Sequence, residues 1–118
     1  MRYKSTRNSE IRLKASQVIA QGISQEGGLF IPDSFPDVRD KLSSWEKLDY
    51  QSLAKEVFRL FLTDFSDQEI EHCVTNAYTS EKFGGDPVRL VDLSGSDGNR
   101  QLLELWHGPT CAFKDMAL

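Results

Sequence analysis

Lys114 is the residue of this sequence to which a specific chemistry can be assigned. An apolar run from Leu102 to Trp106 predicts a short buried strand, and a glycine–proline pair then ends it. Thr110 is predicted to cap the helix that follows, whose first turns begin at Ala112. Because the positive end of a helix opposes an ammonium group, Lys114 is predicted to supply the neutral amine that a Schiff base requires.

Four residues close to Lys114 could take part in the same chemistry, and each also has a structural interpretation. His107 could act as an acid or base near neutral pH, but a histidine after an apolar strand is more often structural. The hydroxyl of Thr110 could contact a ligand as well as cap a helix, and Phe113 could lie in the core or beside a flat ring. Asp115 suits the start of a helix whatever the function.

A second polar segment, Ser5-Thr6-Arg7, lies near the N-terminus. Its composition alone indicates an ordinary polar N-terminal segment. If it faced an active-site cleft, the cation of Arg7 would suit a phosphorylated substrate.

Several function classes are excluded by motif and by charge. The sequence has no P-loop, no dinucleotide-binding glycine pattern, no Cys/His cluster for a metal and no G-x-S-x-G elbow. Its 118 residues carry 14 Lys and Arg against 18 Asp and Glu, a net charge of −4. We therefore expect no nucleic acid as the main partner, and the absence of a long apolar run argues against a membrane.

The two cysteines, Cys73 and Cys111, are expected to be reduced thiols in a cytoplasmic protein. The N-terminus lacks the apolar core of a secretory signal, and nothing else in the sequence indicates an oxidising compartment. Cys73 lies on an apolar helix face and is predicted to be part of the core, whereas Cys111 is predicted to be a small packing residue.

Hydrophobic periodicity predicts the elements that position these residues. Two helices, 49–63 and 66–78, are the clearest, and their short link predicts an antiparallel pair with Phe58 and Cys73 on the buried faces. Asp49 is the predicted cap of the first, and a capping box from Ser66 to Glu69 begins the second. The other predicted elements are a helix at 10–21 capped by Asn8 or Ser9 and followed by a left-handed Gly22, a strand at 29–31, a helical turn at 38–44, and strands at 88–93 and 102–106 around a loop at 94–99.

A break in the helical pattern at 83–87 predicts a domain boundary. Residues 1–83 are expected to form a helical domain and residues 84–118 the beginning of a second domain. Because the sequence stops about one turn into the helix that carries Lys114, we expect an N-terminal fragment that is inactive by itself.

Two segments resemble one family. The first, from Leu103, reads Leu-Glu-Leu-Trp-His-Gly-Pro-Thr-Cys-Ala-Phe-Lys-Asp and closely resembles the motif of threonine synthases, whose lysine carries pyridoxal phosphate (PLP). The second resembles the N-terminal motifs of the same family in order and spacing: Tyr3-x-Ser5-Thr6-Arg7, then Gln21-Gly22-Ile23, then Gly27-Gly28-Leu29-Phe30-Ile31-Pro32.

The resemblance implies an α/β fold, in which a mainly helical N-terminal domain with a few short strands precedes the first strands of a PLP fold type II domain. It implies that Lys114 is the catalytic, PLP-bearing lysine and that Phe113 lies beside the cofactor. Thr110, Arg7 and His107 become candidates for substrate binding, and no metal is implied. The implied reaction converts O-phosphohomoserine and water to threonine and phosphate. The remainder of the same polypeptide is expected to supply the Gly-rich loop that binds the phosphate group of PLP.

Two other interpretations remain open at this stage. A threonine-synthase-like phospho-lyase would release phosphate from a related substrate without making threonine. A helical interaction module without chemistry would be supported only by the residues before Gly84. A Gly-rich Ser/Thr loop and a long α/β region after Leu118 would exclude the module.

Overall fold

The protein combines short helices with two small antiparallel sheets, as the α/β prediction requires. The structure is a computed structural model that describes residues 1–95 and 98–117. It divides into two compact units, Met1–Val74 and Thr75–Leu118. The boundary at Gly84 stays a prediction.

The strands and α-helices are named in chain order. The strands are β1 (Tyr3–Ser5), β2 (Phe30–Pro32), β3 (Arg89–Asp92) and β4 (Gln101–Glu104). The α-helices are α1 (Ala15–Gln21), α2 (Leu42–Trp45), α3 (Tyr50–Phe61), α4 (Asp67–Ala77) and α5 (Ser80–Phe83). Single 3₁₀ turns occupy Arg39–Lys41, within the predicted helical turn at 38–44, and Phe113–Met116. No helix in the described ranges has the length and hydropathy of a segment that crosses a bilayer.

The first helix begins five residues later than its periodicity predicts. Tyr3 and Leu13 exchange backbone hydrogen bonds of 2.9 and 3.0 Å, so the chain before α1 is extended alongside β1. The predicted cap at Asn8 or Ser9 is therefore wrong, and the Asn8 side chain instead accepts the N–H of Glu10 in a local turn. Gly22 ends α1 with a positive φ of 76°, but its ψ of −62° is not left-handed helical.

A distant carboxylate caps α1 in place of the predicted local residues. Asp64, in the link between α3 and α4, accepts the backbone N–H groups of Ala15 and Ser16 at 3.1 Å each. The hydroxyl of Ser16 donates to the same carboxylate at 2.6 Å. These bonds satisfy donors that the first turn of a helix would otherwise leave unpaired, and they tie α1 to the helix pair of the first unit.

Asp64→Ala is expected to lower the free energy of unfolding by about 1 kcal/mol, as loss of a helix cap does. The hydrogen bond from Ser16 lowers the pKa of Asp64, so the stability that this group contributes is present above its unfolded-state pKa. That stability is lost as the pH falls through the folded-state pKa. Urea titrations should show the full difference from wild type at about pH 7 and a smaller one at about pH 3. An equal difference at both pH values would contradict this role.

The helix pair α3–α4 has the predicted caps and antiparallel direction. Asp49 accepts the N–H of Ser52 at 2.7 Å, and the Ser66–Glu69 capping box is formed. Two ion pairs join the helices in antiparallel order, Lys55 with Glu71 at 2.7 Å and Arg59 with Asp67 at 2.8 Å.

The buried apolar core of the described residues is small. It consists of Ala15, Ile70 and Val74 in the first unit and Phe83 in the second. Phe58 lies on the predicted face but is only half-buried, whereas Cys73 is exposed and its predicted place in the core is wrong. Periodicity identifies the apolar face of a helix, but the degree to which that face is buried depends on what packs against it.

The sheet of the second unit is a two-stranded hairpin. β3 pairs antiparallel with β4, with Leu90 opposite Leu103 and Val91 opposite Leu102. Leu90 is 60% exposed and Leu103 is 54% exposed, so the prediction of a buried strand at 102–106 is wrong. An apolar run indicates a strand, but burial requires covering layers, which the described residues of this unit do not supply. Two residues of the predicted 94–99 loop, Ser96 and Asp97, lie outside the described residues.

Candidate functional site

Lys114 lies in a single 3₁₀ turn, Phe113–Met116, and not in the predicted α-helix. The residue before this turn is Ala112, so the prediction that Thr110 caps it is wrong. A turn of four residues has few aligned peptide dipoles. It therefore does not supply the helix field that sequence analysis predicted around Lys114. The end of the predicted helix, Leu118, lies outside the described residues.

The side chains of Lys114 and Phe113 are both exposed, and the Phe113 ring is 75% exposed. Within residues 1–95 and 98–117, no hydrogen bond or ion pair engages the ammonium of Lys114. The same ranges contain no group of three or more His, Cys, Asp or Glu residues that could hold a metal ion. The side chain of Lys114 is therefore accessible to solvent, and its catalytic role stays a prediction.

Asp115 closes the loop that precedes Lys114. One carboxylate oxygen accepts the backbone N–H of Thr110 at 2.7 Å, and the other accepts its hydroxyl at 2.5 Å. The bond from the Thr110 hydroxyl is the largest cause of a lowered pKa of Asp115. We call these two hydrogen bonds between Asp115 and Thr110 the brace. Sequence analysis assigned the Thr110 hydroxyl to a helix cap or a ligand, but it bonds to Asp115 instead, because a carboxylate is the stronger acceptor.

The same loop is tight because the backbone of Gly108 lies close to the side chain of Asp115. A Cβ at this position would lie 2.5 Å from the Cβ of Asp115, a separation that no side chain tolerates. The carbonyl of Gly108 accepts the N–H of Cys111 at 3.0 Å, and Cys111 has a positive φ of 56°. Cys111 is exposed, so its predicted packing role is wrong. Both cysteines are free thiols, as predicted.

His107 is held by a neighbouring carboxylate. Its Nε2 lies 2.6 Å from an oxygen of Glu104, and the two side chains are only 17% and 18% exposed. The ring of Trp106 lies beside the imidazole, with centroids 5.7 Å apart. One ring nitrogen is thus engaged in positioning the imidazole, which agrees with the structural interpretation. Its substrate-binding role stays a prediction.

Tyr78 anchors the far end of the lysine turn, a role that sequence analysis missed. Its hydroxyl donates to the carbonyl of Met116 at 2.8 Å, and its ring lies 6.1 Å from that of Phe83. The sequence placed Tyr78 at the end of the predicted helix 66–78, but α4 ends at Ala77. Helical periodicity carries no information about a hydroxyl that bonds to the backbone of a segment near residue 116.

Arg7 belongs to the first unit, where it joins β1 to the turn before β2. Its Nη1 donates to the carbonyl of Glu26 at 3.0 Å. The carboxylate of Glu26 accepts the hydroxyl of the buried Ser24 at 2.6 Å, and bonds from Ser24 and Ser5 lower the pKa of Glu26. A Cβ at Gly28 would lie 2.1 Å from Oγ of Ser5, so this junction requires glycine there.

Known proteins match this chain in sequence over both units. A family profile described as "Threonine synthase N terminus" matches residues 2–78. The chain is 37% identical over 120 residues to the threonine synthase of Pseudomonas aeruginosa, covering 100% of this chain and 25% of that protein. It is 36% identical over 123 residues to the enzyme of Saccharomyces cerevisiae, covering 98% of this chain and 24% of that protein.

One solved structure extends this similarity to three dimensions. The PLP-bound threonine synthase of Brucella melitensis superposes with a TM-score of 0.82 at 32% identity, covering 98% of this chain and 24% of that chain. The present chain thus spans about a quarter of the length of the proteins it matches, and the matched quarter includes the lysine turn. This chain belongs to the threonine synthase family, of which it represents the N-terminal region.

Proposed function

We propose that this chain is the N-terminal part of a PLP-dependent threonine synthase, which converts O-phosphohomoserine and water to threonine and phosphate. The observation that carries the proposal is Lys114, an exposed amine on a braced turn inside the segment His-Gly-Pro-Thr-Cys-Ala-Phe-Lys-Asp. Threonine synthases match the chain over this segment as well as over the N-terminal unit. The activity is proposed for the full-length protein, because the chain covers about a quarter of its relatives.

The residues of the lysine turn fit PLP. An accessible amine at Lys114 and an exposed aromatic ring at Phe113 stand side by side in one turn. When bound, PLP supplies an electron sink that stabilises negative charge on substrate carbon atoms. Lys114 would attach the cofactor and afterwards move protons. In the family that this chain resembles, the Gly-rich Ser/Thr loop for the phosphate comes later in the sequence than the lysine, and we assign that loop to the remainder of the polypeptide.

The three proposed substrate-binding residues differ in how many of their hydrogen-bonding groups are already used within the protein. Arg7 has further guanidinium donors beyond the one given to Glu26, and these suit the phosphate of O-phosphohomoserine. His107 and Thr110 are each engaged by a carboxylate, so any contact they make with substrate uses their remaining capacity. We place the protein in the cytoplasm, in line with its two free thiols.

The test is product analysis with the full-length protein, PLP and O-phosphohomoserine. Threonine and phosphate are expected in equal amounts. Phosphate without threonine would favour the phospho-lyase, and neither product would favour the non-catalytic module. Borohydride reduction of the PLP-loaded protein followed by peptide mapping should place the pyridoxyl group on Lys114. A label on a different lysine would overturn the site assignment.

A further inference from the structure

We propose that Asp115 is a positioning residue, which fixes the place of the Lys114 amine through its brace on Thr110. The proposal rests on the proposed function, in which Lys114 carries PLP. It assigns to Asp115 no contact with cofactor or substrate. The brace would act by holding the backbone from which the lysine side chain projects.

Two hydrogen bonds close the loop. Both oxygens of the Asp115 carboxylate are used, one by the N–H and one by the hydroxyl of Thr110. Bidentate bonds to a charged acceptor restrict both the distance and the angle between the groups they join. Since Lys114 directly precedes Asp115, its backbone is fixed relative to the residues at the start of the loop.

Close packing limits the movement of the Asp115 carboxylate on one side. It packs against the backbone of Gly108, where a Cβ would lie 2.6 Å from Oδ2 of Asp115. The N–H of Asp115 donates to the carbonyl of Ala112 at 3.1 Å, so the backbone of the bracing residue is held as well. Asp115 is therefore held at its backbone and on the side of Gly108, while its partner Thr110 is exposed.

The backbone is held on both sides of Lys114, while the lysine side chain is not. The carbonyl of Met116 accepts the hydroxyl of Tyr78 at 2.8 Å, which fixes the turn after the lysine. In the described part of the chain, no hydrogen bond or ion pair holds the amine itself. The position of a long, flexible side chain then depends on its backbone. A displacement of about 1 Å at a reacting group can cost about a hundredfold in rate.

The experiment measures how selectively PLP reaches Lys114 in the full-length protein freed of cofactor. PLP is titrated in, the protein is reduced with borohydride, and the fraction of label at Lys114 is found by peptide mapping. Asp115→Ala is expected to raise the PLP concentration for half-saturation at least about tenfold and to spread label to other lysines. Asp115→Asn keeps one acceptor oxygen and should fall between Asp115→Ala and wild type.

A second pair of variants tests the same brace from its partner. Thr110→Val removes the hydroxyl and should shift half-saturation in the same direction as Asp115→Ala. Thr110→Ser keeps the hydroxyl and should stay close to wild type. Both retain the backbone N–H, so this pair decides the proposal if Asp115→Ala fails to fold. In loaded enzymes, kcat should fall more than KM for O-phosphohomoserine rises.

Asp92→Ala is the matched control. Its carboxylate closes a turn in the same unit by accepting the N–H of Ser94 at 2.8 Å, but it is not part of the lysine loop. It should leave labelling of Lys114 unchanged. If Asp92→Ala shifts half-saturation as much as Asp115→Ala, or if Asp115→Ala and Thr110→Val label as wild type does, the positioning role is wrong. If the wild-type protein itself is not labelled at Lys114, the proposed function has failed.

Discussion

Replacement of Lys114 by alanine is expected to abolish threonine formation by the full-length protein, with turnover reduced at least about a thousandfold. An alanine cannot attach PLP, and it cannot move protons to or from substrate. The nearest carboxylate, Asp115, has both oxygens bonded to Thr110 and is not placed to substitute. The measurements are threonine and phosphate produced per enzyme, together with the visible absorbance of bound PLP.

The control is a second lysine of the same unit. Lys82 donates to the backbone carbonyl of Asn76, a structural use of its ammonium, and lies outside the lysine turn. Lys82→Ala should keep wild-type turnover and the absorbance of bound PLP. If both variants lose activity alike, a general loss of structure explains the result. If Lys114→Ala retains the turnover of Lys82→Ala, Lys114 is not the catalytic lysine.

The elements that sequence analysis placed correctly are those defined by nearby residues. The cap of α3 joins Asp49 to Ser52, and the capping box of α4 joins Ser66 to Glu69, in each case across three positions. Such bonds form whenever the local chain is helical, so the residues themselves specify them. The order of the ion pairs between α3 and α4 then follows from the short link.

The elements that were misplaced depend on residues far away in the sequence. α1 begins at Ala15 because Leu13 pairs with Tyr3 and because Asp64, 49 residues away, supplies the cap. A local pattern that includes Asn8 and Ser9 cannot reveal either contact. Tertiary partners here outcompete the local caps, since one carboxylate satisfies two N–H groups and a hydroxyl together.

At the candidate site, too, the sequence predicted which residues are present but not how they contact one another. The residue types around Lys114 predicted the reactive amine and the aromatic ring beside it. They did not predict the brace, because Thr110 before a helical pattern is an ordinary cap and Asp115 an ordinary first-turn residue. The glycine at 108 was a signal of close approach, but the sequence does not say what approaches it.

Phe83 is a core residue that sequence analysis did not predict. It was assigned to a break between domains, yet it ends the short helix α5 and is only 3% exposed. The available signal was local, with Thr79 as the cap and Gly84 as the residue after the helix. A single helical turn is too short for periodicity to detect, so its apolar residue was not recognised as core.

Phe83→Ala is expected to lower the free energy of unfolding of the second unit by about 3–5 kcal/mol, the cost of removing a buried phenylalanine side chain. The substitution empties the space beside the ring of Tyr78. It also weakens the segment whose carbonyls, at Phe83 and Gly84, accept hydrogen bonds from Arg89 at 3.2 and 2.8 Å. Among residues 1–118, a Trp45→Phe background leaves Trp106 as the one tryptophan, and its fluorescence during urea titration of this 118-residue chain reports on this unit.

The matched control is Phe113→Ala, which makes the same substitution in the same unit at a ring that is 75% exposed. It should change the free energy of unfolding by less than about 0.5 kcal/mol, since an exposed ring gives up little contact with protein. Phe83→Ala should instead shift the Trp106 transition to much lower urea, or abolish it if the unit is less stable than the expected cost. Equal effects of the two variants would show that Phe83 is not the core of the unit that carries Lys114.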